Sequence, residues 1–166
     1  MPINLQELQN IQKNILNYKN AELCVVTKTR DIEDVKQLIS LGQKIFAENR
    51  VQEAETKYAE ILKSNTQIKL HLIGPLQSNK VKMALNLFDV IQSIDRPKII
   101  DSISKNIKTM KIKTKEFYIQ VNIGEELQKS GVDKASLKKL YNYSLEKGIN
   151  IKGLMFIPPY DQNPIK

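Results

Sequence analysis

Along the chain, short apolar runs alternate with stretches in which apolar residues recur every three to four positions. Leu5, Leu8, Ile11 and Ile15 mark one face of a leading helix over 4–19, which Asn4 can cap with Glu7 three residues on. Residues 23–29 then read as a first strand that ends on a lysine, Lys28. Asp31 opens a helix carrying Ile32, Val35, Leu38 and Ile39, closed by Gly42. A second strand over 44–49 precedes a helical stripe of Val51, Ala54, Tyr58, Ile61 and Leu62. The third strand is 70–76, after which Ser78 caps a helix with Val81, Ala84, Leu85 and Phe88. The fourth is 90–95, and Asp95-Arg96-Pro97 starts the next helix, since proline suits a first turn. Ile99, Ile100, Ile103 and Ile107 form its stripe. A fifth strand over 116–124 leads through Ser130-Gly131 to a helix opened by Asp133 and ended by Gly148, with Leu137, Leu140, Tyr141 and Leu145 on one side. The sixth strand, 151–157, stops at Pro158-Pro159.

Alternation of this regularity predicts parallel strands joined by crossovers. A barrel and an open doubly wound sheet both satisfy it. No glycine-rich phosphate turn follows the first strand, which weakens the dinucleotide-binding sheet. Polar residues gather at the C-terminal ends of the predicted strands: Lys28, Glu48, Asn49, Gln77, Ser78, Asp95 and Asn122. Barrels collect their chemistry there. The expectation is an α/β chain with a TIM-barrel-like (β/α) fold, as a single domain over 1–166 with its strand–helix repeats in 23–159. A complete eight-stranded barrel needs upwards of about 200 residues, so a barrel truncated after six strands is expected, with two strands missing.

Composition adds few constraints. Apolar content of 41% and charged content of 27% suit a soluble globular protein. No apolar run approaches the length of a membrane span, and the start of the chain lacks a basic-then-apolar signal, so the cytoplasm is the default. The net charge of +8 raises nucleic acid as a partner. The densest basic run, Lys105 to Lys115, contains no aromatic residue for base stacking, which argues against it. The single cysteine, Cys24, excludes an internal disulfide.

Four places could carry chemistry. A lysine at the mouth of a buried parallel strand is costly unless it is paired or used. Lys28 is therefore either a reactive amine or a side chain that snorkels into water. Asn49 could bind a ligand through its neutral amide or cap the helix that follows. His71, the only histidine, reads as a satisfied core residue of strand three rather than an acid–base catalyst. Gln77-Ser78-Asn79-Lys80 suits either a helix cap or an anion.

Three motifs in order sharpen this: Val26-Thr27-Lys28-Thr29, Phe46-Ala47-Glu48-Asn49-Arg50-Val51-Gln52-Glu53, and His71-Leu72-Ile73-Gly74-Pro75-Leu76-Gln77-Ser78-Asn79-Lys80. Gln92-Ser93-Ile94-Asp95-Arg96, Asn122-Ile123 with Lys129-Ser130-Gly131, and Gly153-Leu154-Met155 through Pro158 continue the series. With this set the chain resembles the pyridoxal phosphate homeostasis proteins (YggS/PROSC-type) over nearly its whole length past the first helix. The resemblance implies a fold like the N-terminal barrel of alanine racemases. It implies pyridoxal 5'-phosphate (PLP) as cofactor, carried as an imine on Lys28 with Asn49 close by, in vitamin B6 homeostasis and without catalytic turnover. An imine needs a neutral amine, which a site withdrawn from water favours. Implied partners are PLP itself, PLP-dependent apoenzymes and a separately encoded C-terminal fragment, with no membrane and no metal.

Three departures from the family pattern stand out. Ala47 replaces the glycine of a Gly-Glu-Asn motif, and strand alternation puts it on the face of Asn49. Leu70 and Leu72 replace bulkier neighbours of His71. The Ser and Gly-Ser/Thr backbone cup that holds the phosphate in the family belongs to strands seven and eight, which this sequence lacks. Two alternatives follow: a racemase-like PLP enzyme, for which neither a second acid–base group nor an arginine clamp is evident, and a remnant that binds little or no cofactor.

Overall fold

The computed structural model describes residues 3–124 and 130–158. Lys129 and everything after Pro158 lie outside the described residues. Among these residues the elements run α1 (Leu5–Ile15), β1 (Val25–Val26), α2 (Ile32–Ser40), β2 (Ile45–Glu48), α3 (Val51–Tyr58), α4 (Ile61–Ser64), β3 (Lys69–Leu72), α5 (Val81–Leu87), β4 (Val90–Ile94), α6 (Pro97–Ile107), β5 (Glu116–Gln120), α7 (Lys134–Glu146) and β6 (Ile151–Met155). A 3-10 turn, Ser78–Lys80, precedes α5.

All five pairings are parallel, and the six strands lie in their chain order from β1 to β6. A doubly wound sheet reverses direction at a switch point, whereas a barrel adds each strand on the same side of the last. The sheet is therefore the barrel type, with β1 and β6 as its two edges among the described residues.

One core joins the outer face of the sheet to the helices. Phe46, Leu70, Leu72, Ile91 and Ile119 from the strands meet Val35, Tyr58, Leu85, Ile99 and Ile103 from the helices in a single buried cluster. The substituted Leu70 and Leu72 are fully buried there. The opposite face carries the polar pairs His71–Gln92 and Glu116–Tyr118. Alternation thus sorts the apolar positions toward the helices and leaves the concave side for chemistry.

Several expected caps are present. The Asn4 side chain accepts the Glu7 N–H, the Asp133 side chain accepts the Ser136 N–H, and Pro97 opens α6 behind Arg96. Ser78 does not cap a helix: it lies inside the 3-10 turn, whose preceding residue, Gln77, makes no side-chain cap. The stripe from Val51 to Leu62 is interrupted between α3 and α4, although Ala59 and Glu60 keep right-handed helical dihedrals, so Ile61 stays on the buried face with Tyr58. The largest correction concerns the first strand. It spans Val25–Val26 rather than 23–29, because the Arg30 N–H closes a tight turn on the Thr27 carbonyl at 3.1 Å. Lys28 and Thr29 occupy the middle of that turn.

Candidate functional site

A cleft of about 560 Å³ opens at the C-terminal mouth of the sheet. Lys28 and Asn49 both line it, with Val26, Ile73, Gly74, Pro75, Gln120, Asn122 and Ser130. Residues from β1, β2, β3 and β5 thus converge on one hollow, as the parallel order requires. A larger groove of about 890 Å³ runs along α7 beside Asp95 and Pro97. It holds neither Lys28 nor Asn49, so volume alone does not identify the site.

Two backbone approaches build the cleft wall. A Cβ on Gly74 would stand 2.1 Å from the Asn49 carbonyl oxygen, so only glycine lets the end of β3 cross so close to the end of β2. Gly131 has φ +125° and lies against Asn122, where a Cβ would meet the Asn122 nitrogen at 2.7 Å. Sequence spacing drew attention to neither contact.

Lys28 is exposed, not withdrawn in a strand end as expected. It is the one ionisable side chain among the cleft's described lining residues. Asn49 is partly buried, and α3 starts behind Arg50 without any side-chain cap, so Asn49 does not cap that helix. Gln120 donates through Nε2 to the Ser130 carbonyl at 3.1 Å, while its buried Oε1 has no partner among the described residues. The alternation Tyr118, Gln120, Asn122 could have flagged this residue, since it places polar groups on the concave face of a buried strand.

Ala47 is fully buried beside Val26 in the β1–β2 ladder and is not part of the cleft lining. His71 hydrogen-bonds Gln92 through Nδ1 at 2.8 Å, and burial pushes its pKa down against the pull of Asp89 and Glu116. It sits deeper in the sheet than the cleft, half-buried and paired with Gln92 on the face opposite the core, rather than within the core as expected. The 3-10 turn is tied to α6 by the Ser102 hydroxyl, which donates to the Ser78 carbonyl at 3.3 Å. Burial raises the Cys24 thiol to about 11, which keeps it protonated and unreactive at neutral pH. Among the described residues no group of three His, Cys, Asp or Glu side chains could hold a metal ion. None of the described helices is long and apolar enough to cross a membrane.

Glu48 points away from the cleft. Its fully buried carboxylate takes the Thr27 hydroxyl at 2.9 Å and the Lys57 ammonium at 2.8 Å. The sequence pattern groups it with the strand-end polar residues, but neighbours on a strand face opposite sides.

No family model matches the chain. The pyridoxal phosphate homeostasis protein of Aquifex aeolicus (strain VF5) is 38% identical over 162 residues, an alignment covering 95% of this chain and 70% of that protein. Among solved structures, PipY of Synechococcus elongatus PCC7942 without PLP superposes with a TM-score of 0.84 at 28% identity, over 95% of this chain and 72% of PipY. The same protein with PLP bound gives 0.75 at 29% identity, over 94% and 71%. An alanine racemase of Clostridium difficile 630 gives 0.67 at 15% identity, over 93% of this chain and 41% of the racemase, a likeness of fold alone. The strand order, the cleft at the strand ends and the extent of this identity agree: the chain belongs to the pyridoxal phosphate homeostasis protein family.

Proposed function

We propose that the chain binds PLP in the cleft at the strand ends and serves vitamin B6 homeostasis by holding the cofactor, with Lys28 as its covalent anchor and Asn49 beside it. One observation carries the reading: Lys28 and Asn49, at separate strand ends, share a cleft of about 560 Å³ that Gln120, Asn122 and Ser130 also line. That volume lies within the range of small-ligand sites. When bound, PLP supplies an aldehyde that condenses with a primary amine. The exposed Lys28 amine is accessible to it, and its charge attracts an anionic ligand into a cleft otherwise lined by neutral groups. The Asn49 amide can donate to or accept from a ring substituent.

Holding rather than turnover is supported by the same lining. A PLP catalyst needs a second acid–base group to move protons at the substrate, and Lys28 is the one ionisable group among the described lining residues. Relatives of this chain carry the name of homeostasis proteins. Mixing the protein with PLP is expected to produce an absorbance band that Lys28→Ala abolishes, with no racemisation of alanine by the parent protein. Racemisation that depends on Lys28 contradicts the carrier reading. Absence of the band in the parent contradicts cofactor binding altogether.

A further inference from the structure

The turn that presents Lys28 is strained and is held from behind. Thr29 follows Lys28 with φ +60°, in the left-handed region that a β-branched residue rarely adopts. Two residues of α3 compensate. Glu53, on α3, accepts the Thr29 N–H through Oε1 at 2.7 Å. Lys57, one turn further along α3, donates to the same Glu53 oxygen at 3.1 Å, to Glu48 Oε1 at 2.8 Å and to the Thr27 carbonyl at 2.7 Å. The Thr27 hydroxyl completes the cluster with contacts to Glu48 at 2.9 Å and to the Tyr58 hydroxyl at 2.7 Å. The residues before and after Lys28 are therefore both tied to one charged cluster, while the Lys28 side chain itself points to the cleft. Strain beside a reactive group persists only where its surroundings impose it.

We propose that Glu53, itself fixed by Lys57, is a positioning residue that keeps the Lys28 turn in the conformation presenting its amine to the cleft. The proposal rests on the PLP reading above and adds a residue that touches neither cofactor nor cleft. A side chain outside the site that sets the geometry of a reacting group can change its performance by about ten- to a hundredfold.

The test is a double-mutant cycle with Thr29→Gly, because glycine adopts the left-handed turn without help. PLP affinity is read from the absorbance band, and the Thr29 backbone conformation from its NMR coupling constants. Glu53→Ala is expected to weaken PLP by about tenfold or more and to shift Thr29 out of the left-handed region. Thr29→Gly restores most of that affinity in the Glu53→Ala background. Glu53→Gln, which keeps an acceptor for the Thr29 N–H, is expected to bind nearly as the parent does; if Glu53→Ala fails to fold, a loss of PLP affinity in Glu53→Gln with Thr29 still left-handed overturns the proposal. Unchanged PLP affinity in Glu53→Ala overturns the proposal, as does a loss that glycine does not restore. A role confined to stability would lower the melting temperature equally in both backgrounds and show no such rescue. Should the parent bind no PLP, the cofactor reading fails, and the Thr29 couplings in the parent and Glu53→Ala still decide whether Glu53 holds the turn.

Discussion

Glu53 and Thr29 are joined by a 2.7 Å hydrogen bond from the Thr29 N–H to the Glu53 carboxylate, across 24 residues of sequence. That N–H lies immediately after Lys28, so the bond couples α3 to the turn at the cleft.

The bond sets a pH dependence. The Thr29 N–H holds the Glu53 carboxyl below its ordinary range, with further help from Lys57 and against the opposing effect of burial. A carboxyl lowered in the folded state contributes stability that is present above its unfolded pKa, near about 4.3. That contribution is lost as pH falls through the lower folded value. Melting temperatures of the parent and Glu53→Gln, followed from pH 7 downward, are expected to differ at neutral pH and to converge below about pH 4. A gap that persists into strong acid contradicts this assignment.

Lys57 offsets the buried charge of Glu48, whose side chain is 0% exposed and whose Oε2 has no partner among the described residues. Removing one member of a buried pair leaves the other charged and desolvated, at a cost of about 3–5 kcal/mol. Lys57→Met is expected to fall in that range by chemical denaturation. Glu48→Gln combined with Lys57→Met recovers part of the loss, because no unpaired charge remains.

Gly74→Ala tests the wall of the cleft. The added methyl would sit 2.1 Å from the Asn49 carbonyl, which is backbone and cannot swing aside. A destabilisation near the upper end of about 1–3 kcal/mol is expected. Gly153→Ala is the comparison: its methyl meets the Tyr118 ring at 3.1 Å, a side chain that can shift, so the cost is smaller. Urea melts of the two variants rank them.

Asn49→Ala separates binding from stability. No described residue hydrogen-bonds the Asn49 side chain, so its removal is expected to change stability by no more than about 0.5 kcal/mol. Loss of a hydrogen bond to the ligand weakens PLP by about tenfold. Equal melting temperatures with a weaker PLP titration are the predicted pair of results.

The apolar periodicities of the sequence reveal the alternation of strands and helices, because Phe46, Leu70, Leu72, Ile91 and Ile119 on the strands pack against apolar stripes of α2, α3, α5 and α6. They locate all six strands while running past the C-terminal end of each. Residues 73–76 and 156–157 are apolar but run past the last ladder hydrogen bonds into the loops that form the cleft. The motifs brought Lys28 and Asn49 together, and the cleft contains both. What remained hidden was the support behind them. Glu53 and Lys57 read as an ordinary helical pair four residues apart, and nothing local shows that their other partners are Thr29, Thr27 and Glu48. The turn at Thr29 was equally hidden, since threonine is a poor sign of a left-handed backbone.

The most direct measurement is borohydride reduction of the protein mixed with PLP, followed by peptide mapping by mass spectrometry. One phosphopyridoxyl group is expected, on the peptide containing Lys28 and absent from Lys28→Ala. Label spread over the other surface lysines, or none on the Lys28 peptide at saturating PLP, would contradict it.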